Sequence, residues 1–106
     1  MHISIIVPIF NEGNIIKSNL KKIINFFEDK YKFEIILVND GSTDKTRNIL
    51  EALKQKRIKI MHNPKNMGKG YSIKRGIESS TGDVILTTDA DLSAGIEEFN
   101  KLILKI

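Results

Sequence analysis

A chain of 106 residues and 12.0 kDa is long enough for one compact domain and too short for two, and its 41% hydrophobic residues can bury a core. Without cysteine it can form no disulfide framework, thiolate metal site or cysteine nucleophile, and its longest apolar run, about eight residues from Ile3 to Phe10, falls short of the roughly 18 residues of a membrane span. The net charge of +4 invites an anionic partner, but the acid-free basic segment between Glu51 and Glu78 carries a single aromatic ring, Tyr71, so a base-stacking platform is not expected.

In chain order, Ile3 to Pro8 reads as a strand apolar on both faces. After the polar turn from Asn11 to Asn14, Ile15, Ile16, Leu20, Ile23, Ile24 and Phe27 recur with helical spacing. Glu34 to Asn39 is a second buried strand, ended by the turn residues Asp40, Gly41 and Ser42. Ser42 is expected to cap the next helix, with Asp44 in its first turn and Ile49, Ala52 and Leu53 on its inner face. A short third strand fits Ile58 to Met61, broken by Asn63 and Pro64. Gly68 to Ser80 predicts a third helix, with Ser72 and Gly76 giving a thin face for close packing and Gly82 as its stop. Asp83 to Thr88 is the fourth strand, and Ile96, Phe99, Leu102, Ile103 and Ile106 outline a last helix. Strand–helix units repeated in this way predict an α/β fold with a mostly parallel sheet and right-handed crossovers.

In such sheets ligands bind beyond the carboxyl ends of the strands. Three polar segments fall there: Pro8 to Glu12, Asn39 to Asp44, and Thr88 to Asp91. A chain of net positive charge thus collects Glu12, Asp40, Asp44, Asp89 and Asp91 on one rim, which calls for a cation or for hydrogen-bond donors. In extended backbone Asp89 and Asp91 would point to the same side and reach one ion, and their hard oxygens suit Mg²⁺ or Mn²⁺. The competing reading makes Asp91 a helix cap and Asp89 a loop stabiliser. Asp40 could accept a hydrogen bond from a nucleobase N–H, or serve only as a turn residue. Gly68–Lys69–Gly70 could bring amides and an ammonium to a phosphate at a helix start, or form a flexible turn.

Several patterns are missing. Gly68–Lys69–Gly70 lacks the upstream glycine and the following Ser or Thr of a Walker P-loop, and no G-x-G-x-x-G follows the first strand. No G-x-S-x-G nucleophile elbow occurs, and His2 and His62, without zinc spacing or a neighbouring nucleophile, are expected on the surface. The chemistry suggested is metal with phosphate, not covalent catalysis.

Four segments taken together carry a resemblance: Val7 to Glu12, Val38 to Asp44, Asn66 to Gly70, and Asp89–Ala90–Asp91. In this order they resemble the motifs of the inverting glycosyltransferases of family 2. Thr88 to Ser93, followed by Ile96–Glu97–Glu98–Phe99, is most similar to the dolichyl-phosphate and polyprenyl-phosphate glucosyltransferase branch. The resemblance covers essentially the whole chain and implies the GT-A fold, a Rossmann-like nucleotide-sugar-binding sheet with helices on both faces. Phe10 stands where Tyr is common and Asn39 where Asp is common, and Ser93 replaces the Gln of the mannosyl branch.

By that resemblance, Pro8, Phe10 and Glu12 hold the base and ribose, and Asp40 reads the base with Val38 lining the same pocket. Lys69 helps to neutralise the diphosphate, Asp89 and Ala90 contact the nucleotide sugar, and Asp89 and Asp91 hold Mg²⁺ or Mn²⁺. No catalytic base is assigned. The implied activity moves a sugar, glucose from UDP-glucose in the first instance, with inversion onto a lipid phosphate such as dolichyl or polyprenyl phosphate. A UDP-sugar donor is the expected partner and nucleic acid is not; the expected location is cytoplasmic, with contact at the cytoplasmic membrane face, and the oligomeric state is left open. Full members continue into an acceptor-binding half after the D-x-D, so residues 1–106 are expected to be the donor-binding part, truncated after that motif. A nucleotide-binding fragment without transferase activity is the alternative. A receiver-like signalling domain ranks last, because Met61–His62–Asn63 offers no phosphoacceptor Asp after the third strand.

Overall fold

The first strand, β1 (His2–Ile9), is buried along almost its whole length. Ile3, Ile5, Val7 and Ile9 face one side, where they meet Ile16, Leu20, Ile23 and Phe27 of helix α1 (Gly13–Phe27). Those four helical residues are spaced four, three and four apart, which puts them on one stripe of the helix. Ile6 points to the opposite side and packs with Ile36, Val38 and Met61. A strand apolar on both faces must lie inside a sheet covered twice, and that is where β1 sits.

The remaining elements are β2 (Lys32–Asn39), α2 (Thr46–Ala52), β3 (Ile58–His62), α3 (Lys69–Ser79) and β4 (Val84–Thr87). The computed structural model describes residues 1–93 and 95, so the helix expected from Ile96 to Ile106 lies outside the described residues. The four strands form one parallel sheet in the order β3-β2-β1-β4, with Ile5 opposite Ile35 on one side and Leu86 on the other. Helices α1 and α2 pack together on the face of Ile3 and Ile5, and α3 crosses the other face against β1 and β2. Helices on both faces of a parallel sheet are the expected architecture.

The thin face of α3 is real. Ser72 and Gly76 are its buried residues, and a Cβ on Gly76 would come within 2.5 Å of Ile6 Cγ2. Two local expectations are corrected. Gly82 does not stop α3, which ends at Ser79 with Ser80 already extended. It is instead where the chain passes tightly over β1: a Cβ would lie 2.6 Å from Ser4 Oγ, and its N–H donates to that oxygen. Nor does Ser42 cap α2, which begins four residues later at Thr46. The Ser42 hydroxyl accepts the Asn11 N–H instead, and Asp44 Oδ1 takes the Thr46 N–H at 2.8 Å.

At the amino end of the sheet a buried carboxylate ties three strands and a loop. Glu34 on β2 is 7% exposed. It accepts hydrogen bonds from Ser4 Oγ on β1, from Thr81 N–H and Oγ1, and pairs with Lys59 on β3 at 3.0 Å. Burial opposes its charge, but the donors from Ser4, Thr81 and Lys59 outweigh it and hold its carboxyl down to about 2. Because the folded value lies below the unfolded one, its stabilisation is complete above about pH 4.5 and is lost as pH falls toward 2. Glu34→Gln is expected to lower stability at pH 7 by on the order of 3 kcal/mol and to flatten the acid limb between those pH values, as read from urea unfolding at a series of pH.

Candidate functional site

The order β3-β2-β1-β4 places β2 on one side of β1 and β4 on the other, so the crevice of an open parallel sheet falls at the carboxyl ends of β1 and β4. Two adjoining hollows occur there, of about 180 and 190 Å³. They share Pro8, Lys69 and Asp89; Phe10, Glu12 and Asp40 line one, and Thr87, Thr88 and Ser93 the other. Neither alone reaches the roughly 300 Å³ of a typical small-ligand pocket, so a ligand of nucleotide size would have to span both.

Asp40, the residue after β2, is 5% exposed and accepts three hydrogen bonds. Its Oδ1 accepts the Met67 N–H at 2.7 Å and Asn63 Nδ2 at 3.0 Å, and its Oδ2 accepts the Gly68 N–H at 3.0 Å. This carboxylate therefore fixes the loop that delivers Lys69 at the start of α3. Asn63 is held in turn: its Nδ2 also donates to Ser72 Oγ, and its Oδ1 accepts Arg75 Nη1 at 2.7 Å. Asn39 extends the support sideways. Its Oδ1 accepts the Ser42 N–H, which fixes the amide so that Nδ2 donates to His62 Nδ1 at 3.0 Å. Nε2 of His62 then donates to Glu51 at 2.9 Å. His62 is thus a half-buried member of this network and not the surface residue expected from sequence.

On the other side of the crevice, Asn11 adopts a left-handed φ of 54°. Its N–H reaches Ser42 Oγ, and its Oδ1 accepts the Thr43 N–H at 2.9 Å. The loops after β1 and β2 are thereby locked together, and Phe10 is 41% exposed at the rim.

Asp89 and Asp91 follow β4. The Asp89 carbonyl accepts the Leu92 N–H at 3.0 Å, so the pair sits in a turn and not in the extended backbone from which a shared direction was expected. Asp89 Oδ1 accepts Lys69 Nζ at 2.7 Å, Oδ2 accepts Ser93 Oγ, and Asp91 Oδ1 accepts the Ser93 N–H. The Lys69 hydrogen bond holds the Asp89 carboxyl below the usual carboxylate range, against a smaller cost of burial. Lys69 is raised in return by its bond to Asp89 and by that charge, with Asp91 and Glu12 adding to it. One ammonium thus feels all three carboxylates. A cation is already drawn to this point, and hard oxygen donors suit Mg²⁺ or Mn²⁺. Among the described residues no three metal-ligating side chains converge, so the rest of a cation's coordination would come from ligand oxygens and water.

The sequence profile of Glycosyl transferase family 2 matches residues 4–106. The chain belongs to glycosyltransferase family 2. It is 37% identical over 114 residues to a dolichyl-phosphate beta-glucosyltransferase of Trichomonas vaginalis, a match that takes in 100% of this chain and 34% of that protein. Among solved structures it is similar to residues 1–349 of S. aureus TarS in complex with UDP-GlcNAc, with a TM-score of 0.74 and 25% identity over 98% of this chain and 30% of that one. It is also similar to the mannosyltransferase PcManGT of Pyrobaculum calidifontis in complex with GDP-Man and Mn²⁺, with a TM-score of 0.69 and 27% identity over 84% of this chain and 27% of that one. The fold is GT-A, and the chain spans about a third of the length of the curated relative.

Of the site residues expected for this family 2 chain, Pro8, Phe10, Glu12, Asp40, Lys69 and Asp89 line the crevice. Asp91 acts on it through its charge near Lys69. Two do not reach it by side chain. Val38 is 0% exposed beneath α3 with Ile6, Ile36 and Met61, so it supports the floor and does not line a pocket. Ala90 is equally buried, and its carbonyl is held by Asn19 Nδ2 of α1 at 3.0 Å. In sequence Asn63 is a strand breaker only; its role comes from contacts with Asp40, Ser72 and Arg75 that no sequence spacing announces.

Gly41 is the backbone requirement of the site. Its φ is +66°, and a Cβ would stand 2.2 Å from the Lys65 carbonyl carbon and 2.3 Å from the Asn66 nitrogen. Backbone atoms cannot swing aside as a side-chain tip can. Gly41→Ala is expected to cost about 2–4 kcal/mol in chemical denaturation. It should also speed amide exchange at Met67 and Gly68, whose hydrogen bonds to Asp40 depend on the same close approach.

Proposed function

We propose that residues 1–106 form the donor-binding part of a glycosyltransferase that takes a UDP-sugar together with Mg²⁺ or Mn²⁺. In the whole polypeptide the sugar, glucose in the first instance, passes with inversion to a lipid phosphate such as dolichyl or polyprenyl phosphate, at the cytoplasmic face of a membrane. The observation that carries this reading is the meeting of the Asp89 and Asp91 loop, Lys69 and the Pro8-to-Glu12 segment in one crevice at the switch point of the sheet. The dolichyl phosphate named for the Trichomonas relative supports the choice of acceptor, and the UDP-GlcNAc bound to TarS supports the choice of donor base.

Each residue then has a physical task. The exposed Phe10 ring, beside Pro8 and Glu12, offers an apolar face for the base and a carboxylate for the ribose hydroxyls. Asp40 holds the β3–α3 loop through three N–H donors and keeps one lone pair, on Oδ2, for a base N–H. Lys69, first residue of α3, lies where a diphosphate would meet both its ammonium and the helix amino terminus. Asp89 and Asp91 would hold the divalent cation, which would supply electrostatic stabilisation for charge on a leaving diphosphate. A phosphate acceptor is already anionic, so its attack needs less from a general base than a hydroxyl would.

Asp89→Ala and Asp91→Ala are each expected to abolish Mn²⁺-dependent UDP binding in calorimetry, while UDP binding by the unaltered protein requires the cation. Unchanged affinity in both variants would sink the metal assignment. Incubation of residues 1–106 with UDP-glucose and polyprenyl phosphate tests the donor-part reading further, since detectable glucosyl transfer would overturn it. Donor binding without glucosyl transfer by this segment alone is the expected result.

A further inference from the structure

Lys69 and Asp89 form a pair whose two ends have competing uses. The ammonium lies 2.7 Å from Asp89 Oδ1, yet the two side chains are 63% and 48% exposed. An ion pair this open is weak and easily exchanged, because water screens both charges. Lys69 is also the first residue of α3, where a cation stands against the positive end of the backbone dipoles. Asp89 offsets that repulsion. An arriving anion could offset it as well, and a divalent cation would compete for the same Asp89 oxygen.

We propose that Lys69 is an exchangeable occupant of the cation subsite: its ammonium covers Asp89 until a divalent cation takes that oxygen, and it then turns to the diphosphate of the donor. This rests on the donor and metal reading above and adds to it an order of events built on one side chain. The exchange is geometrically simple. Lys69 is fixed only at its backbone end, by the loop that Asp40 holds through Met67 and Gly68, and its exposed side chain is free to swing from a fixed base. Asp89 meanwhile keeps its second oxygen on Ser93 Oγ at 3.3 Å, so the carboxylate stays oriented when Lys69 leaves. The device makes cation binding and diphosphate binding mutually supportive: each ligand takes one member of a pair that the other ligand has just released.

The test uses Mn²⁺ alone and then Mn²⁺ with UDP, on the unaltered protein, Lys69→Met and Lys69→Gln, with the folded state of each checked by circular dichroism. Removing the competing ammonium should tighten binding of Mn²⁺ alone by about two- to fivefold, the span expected from losing one exposed ion pair. The same variants should bind UDP in the presence of Mn²⁺ more weakly than the unaltered protein. This opposite sign is the signature, since a side chain needed only for folding would weaken both. Nitrogen-15 spectra of the lysine ammonium groups give a direct view: the Lys69 signal, identified by its loss in Lys69→Met, should change on adding Mg²⁺ and again on adding UDP. Equal Mn²⁺ affinity in all three proteins, absence of Mn²⁺ binding by all of them, or a Lys69 signal indifferent to saturating Mg²⁺ overturns the exchange. The parent reading fails separately, when Asp89→Asn and Asp91→Asn bind Mn²⁺ as tightly as the unaltered protein.

Discussion

The site depends on one buried carboxylate. Asp40 receives three N–H donors, two of them backbone amides of the loop between β3 and α3, and hydrogen bonds to a charged group are among the strongest a protein makes. The loop has no regular structure from Asn63 to Gly68, and its course is set by what Asp40 can reach. That in turn fixes where α3 begins and where Lys69 stands. Gly41 belongs to the same constraint, since only a residue without a Cβ lets Lys65 and Asn66 pass over the turn. Two adjacent residues at the end of β2 thus serve one end, a loop carried close enough to present a lysine to β4.

Most of this fold can be read from the chain. A buried parallel strand is a run of Ile and Val on both faces, and β1 and β2 show it; α1 shows its stripe from Ile16 to Phe27. The strand ends could therefore be placed on one rim, and with them the acids that line it. What sequence reasoning missed has a common physical origin: polar side chains with several possible partners. Ser42 has the chemistry of a cap, but Asn11 in its left-handed turn offers a donor that is nearer than the helix. Gly82 has the chemistry of a helix stop, but the close approach to Ser4 is what needs it. Asn63 and His62 give no signal at all, because their importance lies in who meets them after the sheet has formed.

The position of Asn39, where the resemblance expects Asp more often, acquires a reason in this light. Its amide gives an acceptor to Ser42 N–H and a donor to His62 Nδ1 at once, which a carboxylate could not do toward a neutral imidazole. The chain Asn39–His62–Glu51 therefore buttresses the end of β2 without placing a second charge beside Asp40. The neutral amide of Asn39 leaves the amide donors of the β3–α3 loop to Asp40.

The net charge of +4 is a poor guide to what the rim attracts. The basic segment read as one stretch in sequence is divided by the fold. Lys56, Arg57 and Lys59 gather with His2 and Lys32 at the amino end of the sheet, whereas Lys69 stands at the carboxyl end. An eight-residue strand such as β1 spans roughly 26 Å at about 3.3 Å per residue, more than twice the Debye length of about 8 Å at physiological salt. The two ends are therefore electrostatically separate. Around Lys69 the local charge runs against the global one: among the described residues its ammonium feels the carboxylates of Asp89, Asp91 and Glu12. A diphosphate arriving there by itself would meet its own sign. Under the donor-binding reading proposed above, a divalent cation would offset that local negative charge, a task that the overall charge of the chain does not reveal.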